Sequence, residues 1–145
     1  MSKKLNRNVS GAIGEHYVIA ELLRRGFLAD ILYSCAKDYD ILAFNPEKNK
    51  SFRIQVKANQ TKQKNWQIGK HEPVYDDNMF FVFINLVELE SPVFYVVPSK
   101  IVHDKVENRH KSPKEDGGER SKIRKFKFEK DEYKYYENNW EILLK

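Results

Sequence analysis

Two nearly continuous apolar runs, residues 79–86 and 93–97, most constrain the fold of this chain. A strand that is apolar at almost every position, rather than at every second one, needs cover on both of its faces. A chain of 145 residues that is 41% hydrophobic can build one such core and is too short for two ordinary domains. The sequence therefore predicts a single α/β domain spanning residues 1–145, with a sheet packed between helices.

The helical pattern is clearest over residues 10–25, where apolar residues recur at helical spacing. Ser10 is expected to cap the start of this helix, and Gly26 to end it. Ser99 is expected to cap a second, shorter helix. We expect the two helices to pack on opposite faces of the sheet.

Three further segments, residues 27–33, 39–44 and 52–58, have the composition of strands, and the last two read as an antiparallel hairpin. With the two apolar runs they predict a mixed, mostly antiparallel sheet of four or five strands. The polar stretch after the hairpin is read as a connection. The aromatic tail is expected to dock on the core.

Two segments are expected to be mobile. Residues 1–9 are predicted to be flexible, and residues 111–124 are strongly polar and carry Pro113, Gly117 and Gly118, which is typical of a loop.

Glu15 is the first candidate for chemistry, because the helical wheel places it in the middle of an apolar stripe. A carboxylate in such a place needs a cation, a metal ion or a hydrogen-bond donor. It is equally well explained as a first-turn glutamate stabilised by the helix dipole or by a backbone amide.

The hairpin brings together the other candidates. Side chains alternate along a strand, so Gln55 and Lys57 share one face, and pairing of Phe44 near Ser51 would put Asp40 opposite Gln55. Carboxylate and amide oxygens suit Mg²⁺, and a neighbouring lysine suits phosphodiester hydrolysis. A solvent-facing edge with one Asp–Lys ion pair is the simpler alternative. Asp38 is a reserve ligand, or else a turn cap.

A net charge of +5 and a pI near 9.2 fit a polyanionic partner, although ordinary solvated lysines explain them as well. Lys62, Lys64 and Lys70 surround Trp66, which gives a basic segment with one aromatic that can contact nucleic acid. Trp66 is explained equally well as an anchor that holds this segment to the core.

Glu15 on an opening helix, Asp40 at a strand start and Gln55-Val56-Lys57 on the next strand resemble the motif of the PD-(D/E)xK nuclease superfamily. Residues 11–58 are most similar to its small homing-endonuclease-like and Holliday-junction-resolvase-like bacterial members, and later segments extend the likeness over most of the chain. Tyr39 replaces the motif proline, and Gln55 replaces the usual acidic residue.

The resemblance implies a restriction-endonuclease-like core and Mg²⁺-dependent hydrolysis of duplex or branched DNA, with Mn²⁺ able to substitute. It makes Asp40 the principal metal ligand, with Gln55, the Val56 carbonyl and Glu15 completing the set, and gives Lys57 the positioning of water. It also implies a homodimer or a higher oligomer.

Two other classes of function stay open. One is a nucleic-acid-binding module that keeps the fold and has lost the reaction; the other is an interaction protein of a defence system or mobile element, whose basic residues 111–125 meet an acidic partner. The sequence has no run long enough to span a membrane, so a cytoplasmic protein is expected. The single cysteine, Cys35, is given no role.

Overall fold

The two apolar runs form adjacent antiparallel strands of a five-stranded sheet. The computed structural model describes residues 4–32, 39–114 and 116–145. The elements in chain order are α1 (Arg7–Arg24), β1 (Leu28–Ile31), β2 (Ile41–Asn45), β3 (Lys50–Asn59), β4 (Asn65–Gly69), β5 (Met79–Asn85), β6 (Val93–Pro98), α2 (Ser99–Lys111), β7 (Arg124–Lys127), α3 (Tyr133–Tyr136) and a terminal 3₁₀ helix (Trp140–Leu144).

The main sheet has the strand order β1-β2-β3-β5-β6, with β3 in the middle. Strands β3 and β5 run parallel, and the other three neighbouring pairs are antiparallel. This confirms the prediction of a mixed, mostly antiparallel sheet and puts the second strand of the predicted hairpin at its centre.

Each face of the sheet has its own hydrophobic core. Val18 and Leu22 of α1 pack with Ile54 and Val82 on one face, and α2 packs on the other. The predicted placement of the two helices on opposite faces is confirmed. The tail also docks as predicted, because Trp140, Ile142 and Leu143 are buried in the α1 core.

Helix α1 begins three residues earlier than predicted, so Ser10 is not its cap. The side chain of Asn6 accepts a hydrogen bond of 2.9 Å from the amide of Val9, which satisfies an amide that the helix leaves open. The Ser10 hydroxyl lies inside the helix and donates to the Arg7 carbonyl at 3.2 Å. Residues 7–9 are therefore helical and do not belong to a flexible start. Gly26, with φ of +91°, does follow the helix end.

Ser99 is also not a cap, because it makes no capping hydrogen bond to α2. Its hydroxyl instead donates to the Asp76 carbonyl at 2.9 Å and accepts from the Asp76 amide at 3.0 Å. Ser99 thus fixes the connection that leads into β5. Strand β1 is shorter than the predicted residues 27–33, and Tyr33 lies outside the described residues.

A second, two-stranded sheet was not predicted. Strand β4 lies in the stretch read as a polar connection, and it pairs antiparallel with β7, which begins at the end of the predicted loop. Its buried side chains, Trp66 and Phe126, join the core on the α2 side, and the partly buried Ile68 packs against them. None of the helices in the described part of the chain combines the length and the apolar character needed to span a bilayer.

Candidate active site

The register of the β2–β3 hairpin positions the candidate site. Phe44 pairs with Ser51 and Ile41 with Ile54, so the same register carried one residue further puts Asp40 opposite Gln55, as predicted. The buried side chains of β3 face α1, whereas Gln55 and Lys57 alternate with them and are half-buried on the other face.

Asp40 lies just before β2 begins. Its side chain, and not only its backbone, forms a hydrogen bond to the neighbouring strand β3. One carboxylate oxygen, Oδ2, accepts a hydrogen bond of 2.8 Å from the amide of Val56 in β3. The Asp40 amide itself donates to the Ile54 carbonyl at 2.8 Å. Two bonds to neighbouring residues of β3 therefore fix both the backbone and the carboxylate.

Burial raises the pKa of Asp40, and the Val56 amide and the positive charge of Lys57 oppose that rise. A carboxyl with a raised pKa carries its charge at a cost in free energy, which Lys57 reduces. A bound cation would remove that cost.

Lys57 stands two residues beyond Gln55 on the same face of β3. Its Nζ donates to the Ile68 carbonyl of β4 at 3.4 Å. Burial lowers its pKa, while the charge of Asp40 raises it and the charge of Arg7 lowers it further. Because burial is the largest of these effects, this ammonium gives up its proton more readily than a solvated one.

Glu15 enters the site from α1, although the predicted position on the helix was wrong. The buried stripe runs through Gly14, Val18 and Leu22, so Glu15 lies at its edge and not at its middle. Gly14 packs so closely on the sheet that an added Cβ would lie 3.1 Å from Ile84 Cδ1 and 3.2 Å from Val56 Cγ1. This close packing on β3 and β5 brings the next residue, Glu15, near enough to Asp40 to feel its charge.

Glu15 and Asp40 act on each other there. Burial raises the pKa of Glu15, the negative charge of Asp40 raises it further, and His16 opposes both. Two half-buried carboxyl groups, each with a raised pKa, are a chemically reasonable pair of ligands for a divalent ion.

The donor set fits a hard cation only if neutral oxygens contribute. Among the described residues, no group of three or more His, Cys, Asp or Glu side chains is arranged to hold a metal. Glu15 and Asp40 supply two carboxylates, and the Gln55 amide and Val56 carbonyl are oxygens of the kind that Mg²⁺ accepts. Asp38, the reserve ligand, lies outside the described residues.

The predicted nucleic-acid contact at Trp66 is wrong. This side chain is only 2% exposed, its ring lies against Phe83 and Tyr95, and its Nε1 donates to the Ile84 carbonyl at 2.9 Å. It is therefore the anchor of the segment and cannot stack on a base.

The three lysines around Trp66 differ in their surroundings. Lys62 is 79% exposed and lies 3.9 Å from Glu90. The amine of Lys64 lies 5.0 Å from the centre of the Tyr133 ring, and Lys70 is exposed. All three stay candidates for nucleic-acid contact.

Arg7 is a positive charge that affects the pKa of Lys57, and the sequence did not reveal it. It lies exposed in the first turn of α1, and its charge acts on Lys57. The chain just before it is fixed to the end of β3, because Leu5 and the Gln60 side chain exchange hydrogen bonds of 2.8 and 2.7 Å. Helical periodicity carries no information about which strand a helix start meets, so no local signal marks Arg7.

Comparison with solved structures identifies the fold. The chain aligns over 97% of its length with 93% of a bacterial homing endonuclease, I-Ssp6803I, at a TM-score of 0.59 and 18% identity. It aligns over 92% of its length with 93% of Hjc, a Holliday junction resolvase from the hyperthermophilic archaeon Archaeoglobus fulgidus, at a TM-score of 0.52 and 12% identity. No family model matches, and no curated protein matches. The predicted resemblance and fold class are thus confirmed: the chain has the fold of these nucleases.

Proposed function

We propose that this protein is a metal-dependent endonuclease that hydrolyses phosphodiester bonds of DNA. The supporting observation is the meeting of Asp40 and Glu15, two carboxyls with raised pKa, beside Lys57, an ammonium with a lowered pKa. The nuclease fold of the chain agrees with this chemistry but does not by itself establish it.

Asp40 is the principal ligand for Mg²⁺ or Mn²⁺ in this proposal, with Glu15, the Gln55 amide oxygen and the Val56 carbonyl as further donors. A bound divalent ion supplies positive charge to the phosphate and lowers the pKa of an attacking water. The Val56 amide holds the Asp40 carboxylate in one orientation, so the main ligand is pre-positioned before any ion arrives.

Lys57 is proposed to orient the water and exchange a proton with it. Its lowered pKa makes its ammonium a better proton donor than that of an exposed lysine. The hydrogen bond to the Ile68 carbonyl restricts where the amine can point.

Supercoiled plasmid and branched DNA, incubated with Mg²⁺ or Mn²⁺, test the proposal. We expect nicking by the wild type and a loss of about 100-fold or more in Asp40→Asn and Lys57→Met. Asp40→Asn keeps an oxygen for the Val56 amide, so the fold is preserved. Asp30→Asn, which removes an exposed carboxylate from β1, is the matched control and should cut normally. Equal nicking by the wild type and both site variants would contradict the proposal.

A binding module without catalysis is the second candidate. Gln55 in place of an acid, together with the absence of a three-ligand acidic group in the described part of the chain, favours it. Salt-sensitive DNA binding that chelator does not change, with no cleavage under any divalent metal, would select this candidate.

The proposed partner is duplex or branched DNA, and the proposed active form is at least a homodimer, because a duplex has two strands to cut. Sedimentation with and without a short duplex tests the assembly. A particle with one protein chain per duplex under cleaving conditions would contradict the dimer.

A further inference from the structure

The unpredicted second sheet presents a polar outer surface. In the β4–β7 ribbon, Asn65 pairs with Lys127 and Gln67 with Lys125, and these four side chains alternate with the buried Trp66 and Phe126. Gln67, Lys125 and Lys127 are exposed. One face of the ribbon is thus fixed to the core, and the other presents amides and ammonium groups to solvent.

All charged residues in the two ribbon segments are basic. Residues 61–70 contain three Lys or Arg and residues 120–127 contain five, and neither segment contains an Asp or Glu, although the whole chain has 21 acidic residues. Arg124 is neutralised by Glu107, with Nε–Oε2 of 2.6 Å. Lys125 and Lys127 have no such ion pair among the described residues. A surface whose charges are all positive suits a polyanion.

A cleft of about 370 Å³ continues the basic surface from β7 toward α2. Its lining includes Arg109, Arg120 and Lys127, with one acidic residue, Glu129, and Lys105, which is paired with Glu132 at 2.5 Å. A phosphate backbone that follows the edge of the ribbon could contact further cationic side chains in this cleft.

The ribbon also adjoins the candidate active site. The Ile68 carbonyl, next to Gln67 in β4, accepts the hydrogen bond from Lys57. Strand β4 therefore lies next to Lys57, and β7 pairs with β4. A polyanion bound along the ribbon passes beside the site.

We propose that the outer face of the β4–β7 ribbon is the duplex-DNA-binding surface of this protein and enters the major groove. The major groove is about 12 Å wide and admits a two-stranded ribbon, and the two strands of a ribbon lie about 4.8 Å apart. Lys125 and Lys127, about 7 Å apart on one face, contact phosphates. This inference rests on the proposed function, because it supplies the substrate contact for that site.

Binding of a fluorescent 20-base-pair duplex, measured by anisotropy in EDTA over a series of salt concentrations, tests the surface without any cleavage. The variant is Lys125→Gln with Lys127→Gln. We expect weaker binding and a slope of log K against log salt that is shallower by about 2, one for each lost phosphate contact. The matched control, Lys50→Gln with Lys145→Gln, also removes two exposed lysines, of which Lys50 lies at the opposite end of β3 from Lys57. It should keep the slope of the wild type.

A slope that is unchanged in the Lys125/Lys127 variant, or changed equally in the control, overturns the assignment of the surface. An RNA duplex of the same sequence provides a third arm, because its major groove is too deep and narrow to read. Equal or tighter binding of RNA overturns entry into the major groove. These results are independent of the proposed reaction, whose failure would appear as Asp40-independent nicking or as no nicking at all, while DNA binding persisted.

Discussion

At the scale of single residues, Gln55 sets the charge of the candidate metal site. It stands opposite Asp40 where an acidic residue would bring the number of carboxylates to three. We predict that Gln55→Glu binds Mn²⁺ on the order of tenfold more tightly, because affinity for hard cations rises with ligand charge. Calorimetric titration without DNA measures this.

Gln67→Glu is the matched control for that titration, since it makes the same change on the exposed face of β4. It should bind Mn²⁺ as the wild type does. Equal gains in both variants would show that overall charge, and not the geometry around Asp40, governs the binding.

The raised pKa of Asp40 makes a prediction about pH. A carboxyl whose pKa is higher in the folded state than in the unfolded state favours folding when protonated, and this contribution is lost as the pH rises through the folded value. In EDTA at pH 7.5, Asp40→Asn should therefore be more stable than the wild type, because the amide carries no buried charge. Urea unfolding across the acid range should show this difference shrinking as the pH falls below the raised pKa. A wild type that is the more stable of the two at pH 7.5 would contradict it.

The sequence predicted the hairpin part of this site well, because alternation along a strand is local and the register of a hairpin follows from its turn. Asp40, Gln55 and Lys57 were placed correctly relative to one another for that reason. Glu15 was predicted at the middle of the apolar stripe and lies at its edge, since the apolar count around the helix ignored Gly14, which has no side chain but packs closely on Ile84 and Val56. Arg7 depended on a long-range contact that no periodicity encodes.

At the scale of elements, the approach of α1 to the sheet depends on Gly14. Gly11 lies one turn earlier, and a Cβ there would meet nothing within 4 Å. Gly11→Ala should therefore stabilise the protein by about 1 kcal/mol through helix propensity alone. Gly14→Ala gains the same helix contribution but must move Ile84 and Val56, so it should be less stable than Gly11→Ala. Thermal unfolding of the pair measures the packing cost directly, and equal stabilities would mean that α1 does not pack as closely as described.

Strands were predictable where an apolar run or an alternation of polar and apolar residues marked them. The apolar run of β5 and the alternation of β3 both marked strands, and the structure has them there. Strands β4 and β7 were missed because each is short and shows only one or two buried aromatics among polar residues. Each strand is recognisable only from its pairing with the other, and the two lie more than 50 residues apart in the chain.

At the scale of the whole molecule, the central sheet separates two cores, and the β4–β7 ribbon belongs to only one of them. The ribbon is held by aromatic packing and by the ion pair of Arg124 with Glu107, whose side chains are 16% and 5% exposed. Strand β5 is buried along its whole length and contributes to both cores. The ribbon should therefore open at a lower free energy than β5.

Glu107→Ala tests this division of the molecule. Loss of the carboxylate leaves the partly buried guanidinium of Arg124 without its ion-pair partner. This costs about 3 kcal/mol, the lower end for such pairs, because the Lys70 carbonyl still accepts from Arg124. We predict that amide hydrogen exchange accelerates roughly 100-fold in β4 and β7 while β5 keeps the protection of the wild type. Glu47→Ala, at the exposed turn between β2 and β3, should change neither region. Equal acceleration in β5 and in the ribbon would mean that the two cores unfold as one unit.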